Sequence, residues 1–430
     1  MDCPFFEIDP ALAALSDKAM AKAAPAFARI EQTAAYNQQK VLAAFIHNKV
    51  SESHFTGTTG YGYGDRGRET LDAVFAEAMG AEDALVRHTI LSGTHAITVA
   101  LFGVLRPGDT LLLASGAPYD TLETVIGIRE GEPGSLKEFG VNYTEVPLRD
   151  GCPDLPAIQA ALRADASIRV VHIQRSRGYN TRESLSVATI GEMIRAVREV
   201  RPDAIVFVDN CYGEFVERTE PTAVGADLMA GSLIKNPGGG IAENGGYICG
   251  RHDLVEQCAA RMTTPGLGRE IGATLGHNRT LFMGLFQSPH VVGEALKTAV
   301  YTAALFELLG YEVSPKADAV RADIVQIVKL QTPEALVAFC QGMQSGAPVD
   351  AFVVPEPWDM PGYDSPVIMA AGAFTMGSSI ELSADAPLRE PYAAYMQGGI
   401  NFPSGQMGVL LAAQSMLKNG LLDDRLPRKN

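Results

Sequence analysis

Ile205-Val206-Phe207-Val208-Asp209-Asn210 and Asp227-Leu228-Met229-Ala230-Gly231-Ser232-Leu233-Ile234-Lys235 decide the fold of this chain. Both are apolar runs without alternation, which is how strands covered on both faces read. Both end in a chemically loaded side chain, a carboxylate in the first and an amine in the second. Outward from this pair the same rhythm continues. Strands are expected at Ala84–Val86, Thr110–Leu113, Tyr143–Val146, Arg169–Ile173 and Gly246–Cys249. Helical segments separate them at Thr94–Leu105, Leu155–Arg163 and Thr189–Val200. Such alternation predicts an α/β fold, a mostly parallel seven-stranded sheet with helices on both faces.

Ligands of such sheets gather beyond the carboxyl ends of the strands, and Asp209 and Lys235 both fall there. A carboxylate and a lysine at the tips of successive strands are what pyridoxal 5'-phosphate requires. The amine forms a Schiff base with the cofactor aldehyde, and the carboxylate keeps the pyridine nitrogen protonated so that the ring can accept carbanion electrons. No G-x-x-x-x-G-K-[ST] or early G-x-G-x-x-G accompanies them, so nucleotide-binding readings are rejected. Gly238-Gly239-Gly240 after the lysine serves close backbone approach instead.

The 430 residues bound the chain to two or three domains, and its 47% hydrophobic content fills a large core. A formal net charge of −15 argues against nucleic acid as a partner. The six cysteines are scattered without a C-x-x-C pair, so no metal or disulfide framework is expected and a reducing cytoplasm fits. Neither a secretory leader nor an 18-residue apolar span is present, so no membrane partner is expected. The expected domains are a helical arm over 1–50, a large cofactor domain over 51–289 and a smaller α+β domain over 290–430. In the last, a long helix runs over His277–Leu309 with an interruption near Pro289. Strands follow at Ile324–Leu330, Phe352–Val354 and Ser379–Leu382, and helices at Ala335–Met343 and Gln406–Leu417.

Ser92-Gly93-Thr94-His95 opens a helix with small and hydroxyl-bearing residues. Its free N–H groups and positive dipole end suit a phosphate, although an ordinary N-cap looks the same when it stands alone. Tyr119, in Pro118-Tyr119-Asp120-Thr121, offers an aromatic face at the next helix start. Ser232 adds a hydroxyl three residues before Lys235. Arg175 and Arg177 lie on the rim that carries Asp209, where paired guanidinium groups are costly unless they meet an anion. Arg389, from the small domain, is a further candidate for a substrate carboxylate.

These residues resemble fold-type I pyridoxal-phosphate enzymes of cysteine and methionine metabolism. The nearer resemblance is to the methionine gamma-lyase-like family that includes the aluminium-resistance, cystathionine beta-lyase-like proteins. Its carriers are TGYGYGD (Thr59–Asp65), SGTHA (Ser92–Ala96), LRPGD (Leu105–Asp109), PYDTLE (Pro118–Glu123), QRSRGY (Gln174–Tyr179), VDNCYG (Val208–Gly213), SLIKNPGGG (Ser232–Gly240) and Ile380–Tyr392, in order over most of the chain. The resemblance implies Lys235 as the Schiff-base lysine, Asp209 at the pyridine nitrogen and Tyr119 stacked on the ring. It also implies Ser92, Gly93, Thr94 and Ser232 around the phosphate, completed by Tyr63 of a neighbouring subunit in a homodimer or homotetramer. Three positions depart from the pattern. Ile234, just before the lysine, stands where many relatives have a hydroxyl. Asp65 stands where the wider group has an arginine two residues after the tyrosine, with Arg66 and Arg68 nearby. Thr121 stands where methionine gamma-lyases have a cysteine.

The function expected is a pyridoxal-phosphate-dependent carbon–sulfur lyase on a sulfur-containing amino acid such as cystathionine or methionine. Lys235 is the catalytic base and Tyr119 acts on the leaving group. Fold alone does not fix the reaction. An aminotransferase, racemase or decarboxylase on the same scaffold, and a non-catalytic protein binding the cofactor or an amino acid, are the alternatives.

Overall fold

The computed structural model describes residues 3–129, 133–360, 365–422 and 424–426. Its contacts divide it into two compact units, one of residues 36–288 and one of residues 1–35 with 289–430. The first helix, α1 (Pro10–His47), contributes to both units. Leu12, Leu15, Ala19, Ala23 and Ala26 along its first turns are buried in the core of the second unit. The 1–50 segment expected as an arm is therefore divided, because its early apolar stripe has a core to enter.

The larger unit continues through α2 (Arg66–Met79), β1 (Asp83–Arg87), α3 (Gly93–Val104), β2 (Thr110–Leu113), α4 (Asp120–Ile126), β3 (Asn142–Glu145) and α5 (Leu155–Ala164). It then runs through β4 (Ile168–Gln174), α6 (Val187–Val200), β5 (Ile205–Asp209), β6 (Leu228–Ser232), β7 (Gly246–Gly250) and α7 (His252–Met262). The seven strands form one sheet in the order β1-β7-β6-β5-β4-β2-β3. Neighbours from β6 to β3 are parallel, while β7 runs antiparallel to both β1 and β6. Every residue of β5, β6 and β7 is buried, as their unalternating sequences require. One face packs Leu85, Leu111, Val170, Phe207 and Ile248 against Ile97, Leu101 and Val255. Burial of each such side chain contributes about 1.5–3 kcal/mol, so the strand tips are held on a stiff base.

The helix α8 (Asn278–Leu308) carries the chain out of this unit as one helix of 31 residues with Pro289 inside it. The expected interruption does not occur. A proline removes one backbone bond, but apolar residues before it (Phe282, Leu285) and after it (Val292, Ala295) are buried and hold both halves.

The smaller unit has the strands β8 (Glu312–Ser314), β9 (Gln326–Lys329), β10 (Val367–Ala370), β11 (Ser383–Pro387) and β12 (Ala393–Gln397), and the helices α9 (Pro333–Ser345) and α10 (Phe402–Lys418). Its sheet is antiparallel in the order β10-β11-β12-β9-β8. Two expected strands are corrected. Phe352-Val353-Val354 is an exposed irregular segment with no sheet partner among the described residues. Ser379–Leu382 is a turn, because the Glu381 carboxylate accepts the N–H groups of Phe374 (2.8 Å) and Thr375 (2.9 Å) and so fixes a loop; the strand begins at Ser383.

Candidate active site

The site is built at the carboxyl ends of β4, β5 and β6. Register places Gln174 beside Asp209, and Asp209 beside Ala230, on adjacent strands. Asp209 is buried, and its Oδ1 accepts the backbone N–H of Cys211 at 3.1 Å. Burial raises its pKa; the Cys211 N–H and the Lys235 charge oppose that and favour the carboxylate.

The strand β6 stops at Ser232, so Lys235 stands three residues past it, in a turn rather than at the strand tip. Its Nζ lies 3.8 Å from the centroid of the Tyr212 ring. Desolvation works against a charged amine there. Tyr212, Cys211 and Asp209 outweigh it and raise the Lys235 pKa above that of an ordinary lysine.

Tyr119 immediately precedes α4. Its N–H donates to Gln174 Oε1 at 3.0 Å, and its phenol donates to Thr94 Oγ1 at 3.0 Å. Desolvation and the Asp209 charge push its pKa up. Thr121 Oγ1 lies 3.2 Å from the same Thr94 hydroxyl. Ser92 caps α3 by accepting the His95 N–H at 3.1 Å. His95 itself is structural, its Nδ1 accepting from the Leu91 N–H at 3.1 Å.

Two observations test whether this cradle fits a phosphate. A Cβ on Gly93 would come within 3.0 Å of Cys211 Sγ and 3.5 Å of Ser232 Cβ, so glycine is what lets the start of α3 lie against β5 and β6. The Ser232 hydroxyl is buried and has no hydrogen-bond partner among the described residues. A buried donor left unpaired costs about 1–3 kcal/mol, and an anion at the N-terminus of α3 would satisfy it. These residues fit pyridoxal phosphate: Lys235 would carry it, Asp209 would face its ring nitrogen, and Ser92, Gly93, Thr94 and Ser232 would hold its phosphate.

The arginines separate into different roles. Arg175 is fully buried and pairs with Glu217 Oε1 (2.9 Å), Glu220 Oε2 (3.4 Å) and Asn210 Oδ1 (2.7 Å). Its anions are this chain's own carboxylates, not a substrate. Arg177 is buried, with Nε 3.4 Å from the Ser184 hydroxyl. Arg389 is exposed in the turn after β11, in the smaller unit. Arg68 donates to the carbonyls of Gly62, Gly272 and Glu270 and is buried, while Arg66 is exposed. Asp65 has a structural reason to replace an arginine. It caps α2, accepting the Arg68 N–H at 2.9 Å and the Thr274 hydroxyl at 2.6 Å. Tyr63 is exposed, its ring 5.6 Å from that of Tyr61. Gln174, Cys211 and Tyr212 are site residues to which no role was given from sequence. The signal for the last two was their place two and three residues after Asp209, within VDNCYG.

The family model described as methionine gamma-lyase matches residues 12–417. The chain belongs to the methionine gamma-lyase family. Protein YnbB of Bacillus subtilis is 51% identical over 396 residues, 92% of this chain and 94% of that one. The solved structure of a carbon–sulfur lyase involved in aluminium resistance, from Clostridium novyi NT, is 50% identical with a TM-score of 0.92, covering 95% of this chain and 96% of that one. The pyridoxal-5'-phosphate-dependent protein YhfS of Escherichia coli shares the fold, at 18% identity and a TM-score of 0.62. The fold is the fold-type I architecture, and this methionine gamma-lyase family member is a pyridoxal-phosphate-dependent carbon–sulfur lyase.

Proposed function

We propose that the protein eliminates a thiol from a sulfur-containing amino acid of the cystathionine or methionine type. The observation that carries this is the convergence of Asp209, Lys235 and the protonated Tyr119 phenol on one rim, beside a hydroxyl-lined helix start. The bound cofactor supplies an electron sink for the carbanion. Lys235 Nζ takes the Cα proton of the substrate, and the bonding pair stays behind on the substrate. Where sulfur sits on Cβ, the C–S bond then breaks with its electron pair going to sulfur, and Tyr119 hands its proton to the leaving thiolate; where sulfur sits on Cγ, as in methionine, a proton must also leave Cβ before that bond can break. Asp209 would face the ring nitrogen of the bound cofactor. Arg177, in the larger unit, is the group we assign to the substrate carboxylate; Arg175 is left out because Glu217 and Glu220 already occupy it.

Tyr63 is assigned to the cofactor phosphate of a second copy in a homo-oligomer, and the cytoplasm is the proposed compartment. Among the described residues no helix is long and apolar enough to cross a membrane. Purified protein is expected to be yellow and to release keto acid, ammonia and thiol together from cystathionine or methionine. An aminotransferase, racemase or decarboxylase would not release that set. Lys235→Ala is expected to abolish both colour and turnover; a variant that kept them would defeat the assignment.

A further inference from the structure

The ring of Tyr212 lies against the Lys235 amine, and the family resemblance gives it no role. Lys235 Nζ lies 3.8 Å from its centroid, well within the roughly 6 Å at which a cation is drawn to an aromatic face. The backbone is strained to put it there. Tyr212 has φ of +71°, a left-handed conformation that a bulky aromatic residue rarely adopts. Such strain persists only where the surroundings over-determine it, and here they do. Asn236, the residue after the lysine, donates its side-chain amide to the carbonyls of Tyr212 and Glu214, both at 3.0 Å. On the other side, the Gly213 N–H donates to the Asn210 carbonyl at 2.9 Å. Lysine and ring are thus held by the same short piece of chain from two directions.

We propose that the Tyr212 ring is the seat of the Lys235 ammonium, its π face holding the amine whenever it carries a proton. This rests on the reading of Lys235 as the cofactor-bearing base. A base that takes the Cα proton must hold it until the thiol has gone, and a neutral aromatic face does this without neutralising the amine as a carboxylate would. The other groups that act on this amine are the hydroxyl of Tyr212 itself, Asp209 and Cys211 from the β5 side, and Tyr119 at the start of α4. Asp209, Cys211 and Tyr119 do not change when Tyr212 is altered, and the hydroxyl is already absent throughout the fluorinated phenylalanine series, so that series tests the ring alone.

The test uses full-length protein freed of cofactor and then given pyridoxal phosphate over a range of pH. The visible absorbance reports the rate at which Lys235, as free amine, rejoins it. Wild type is compared with Tyr212→Phe, with the same phenylalanine progressively fluorinated, and with Tyr212→Leu. Fluorination drains the π face while keeping the ring's shape, so a folding defect does not confuse the result. The midpoint is expected to stay with wild type in Tyr212→Phe. It should fall stepwise as fluorines are added, reaching about 0.5–1.5 pH units lower in the most fluorinated protein and in Tyr212→Leu. A midpoint indifferent to fluorination overturns the proposal, as does a fall in Tyr212→Phe equal to that in Tyr212→Leu, which would assign the effect to the hydroxyl. Absorbance that fails to return in wild type, or returns in Lys235→Ala, defeats instead the underlying assignment of Lys235.

Discussion

The amide of Asn236 is bonded at 3.0 Å to the carbonyl of Tyr212, so the residue after the cofactor lysine grips the backbone of the residue whose ring covers that lysine. Asn236 is fully buried, and the same amide also serves the carbonyl of Glu214. Asn236→Ala would strand both carbonyls, and a buried unpaired polar group costs about 1–3 kcal/mol. We expect a clear fall in melting temperature and a loss of turnover larger than the loss of substrate binding. Asn236→Asp should not rescue either, since a carboxylate cannot donate. A melting curve for Asn236→Ala that overlays wild type would show that the brace carries no weight.

Glu214 is fully buried behind this loop. Its Oε1 accepts from the Tyr247 hydroxyl at 2.7 Å, and Oε2 has no hydrogen-bond partner among the described residues. Burial pushes its pKa up to about 8, with the Tyr247 hydrogen bond acting the other way. Between about pH 4.5 and about 8 the folded protein holds this proton and the unfolded chain has released it. Stability therefore falls as pH rises through that window, being fully present below it and lost above it. Glu214→Gln keeps the shape and cannot titrate. Its advantage over wild type should grow by roughly 2–4 kcal/mol between pH 5 and pH 8. Denaturant titrations at the two pH values measure this; parallel changes in both proteins would mean that Glu214 does not hold the proton.

Ser232 separates cofactor binding from folding. Without cofactor its hydroxyl is a buried group with no partner among the described residues, so Ser232→Ala should melt no lower than wild type, or slightly higher. With cofactor the same substitution removes a hydrogen bond to a charged phosphate, and we expect affinity to weaken by roughly 10-fold or more. Gly93→Ala should weaken it too, because the added Cβ presses on Cys211 and Ser232. Equilibrium dialysis against pyridoxal phosphate gives the affinities. Unchanged affinity in Ser232→Ala would remove this hydroxyl from the phosphate site.

The sheet was legible because β5 and β6 are buried on both faces and so carry unbroken apolar runs, which no helix at that length with those flanks imitates. The position of Asp209 followed from where such a run ends. Phe352–Val354 misled because β-branched and aromatic residues favour strands only where a partner strand is present, and here none is. Asn236 and Tyr212 could not be connected from sequence, since the bond between them joins two loops 24 residues apart. The partners of Arg175 were hidden for a related reason. The sequence shows a guanidinium at a strand end, but not that Glu217 and Glu220, 42 and 45 residues later, return to it with two carboxylates.

Arg175 gives the sharpest test of that last point. Its guanidinium is enclosed, and Glu220, equally enclosed, also accepts from the Phe215 N–H at 2.9 Å and the Asn210 amide at 3.1 Å. Removing one partner of a buried pair leaves an uncompensated charge, which destabilises by about 3–5 kcal/mol. Arg175→Met should therefore lower stability by that order, with KM following only as the fold loosens. Replacing both partners, as Arg175→Met with Glu220→Gln, should recover much of the loss, because two neutral side chains of similar volume avoid the stranded charge. A residue that bound substrate would behave oppositely, raising KM in the single variant at unchanged melting temperature and gaining nothing from the second substitution. Denaturation and steady-state kinetics on the two variants decide between them.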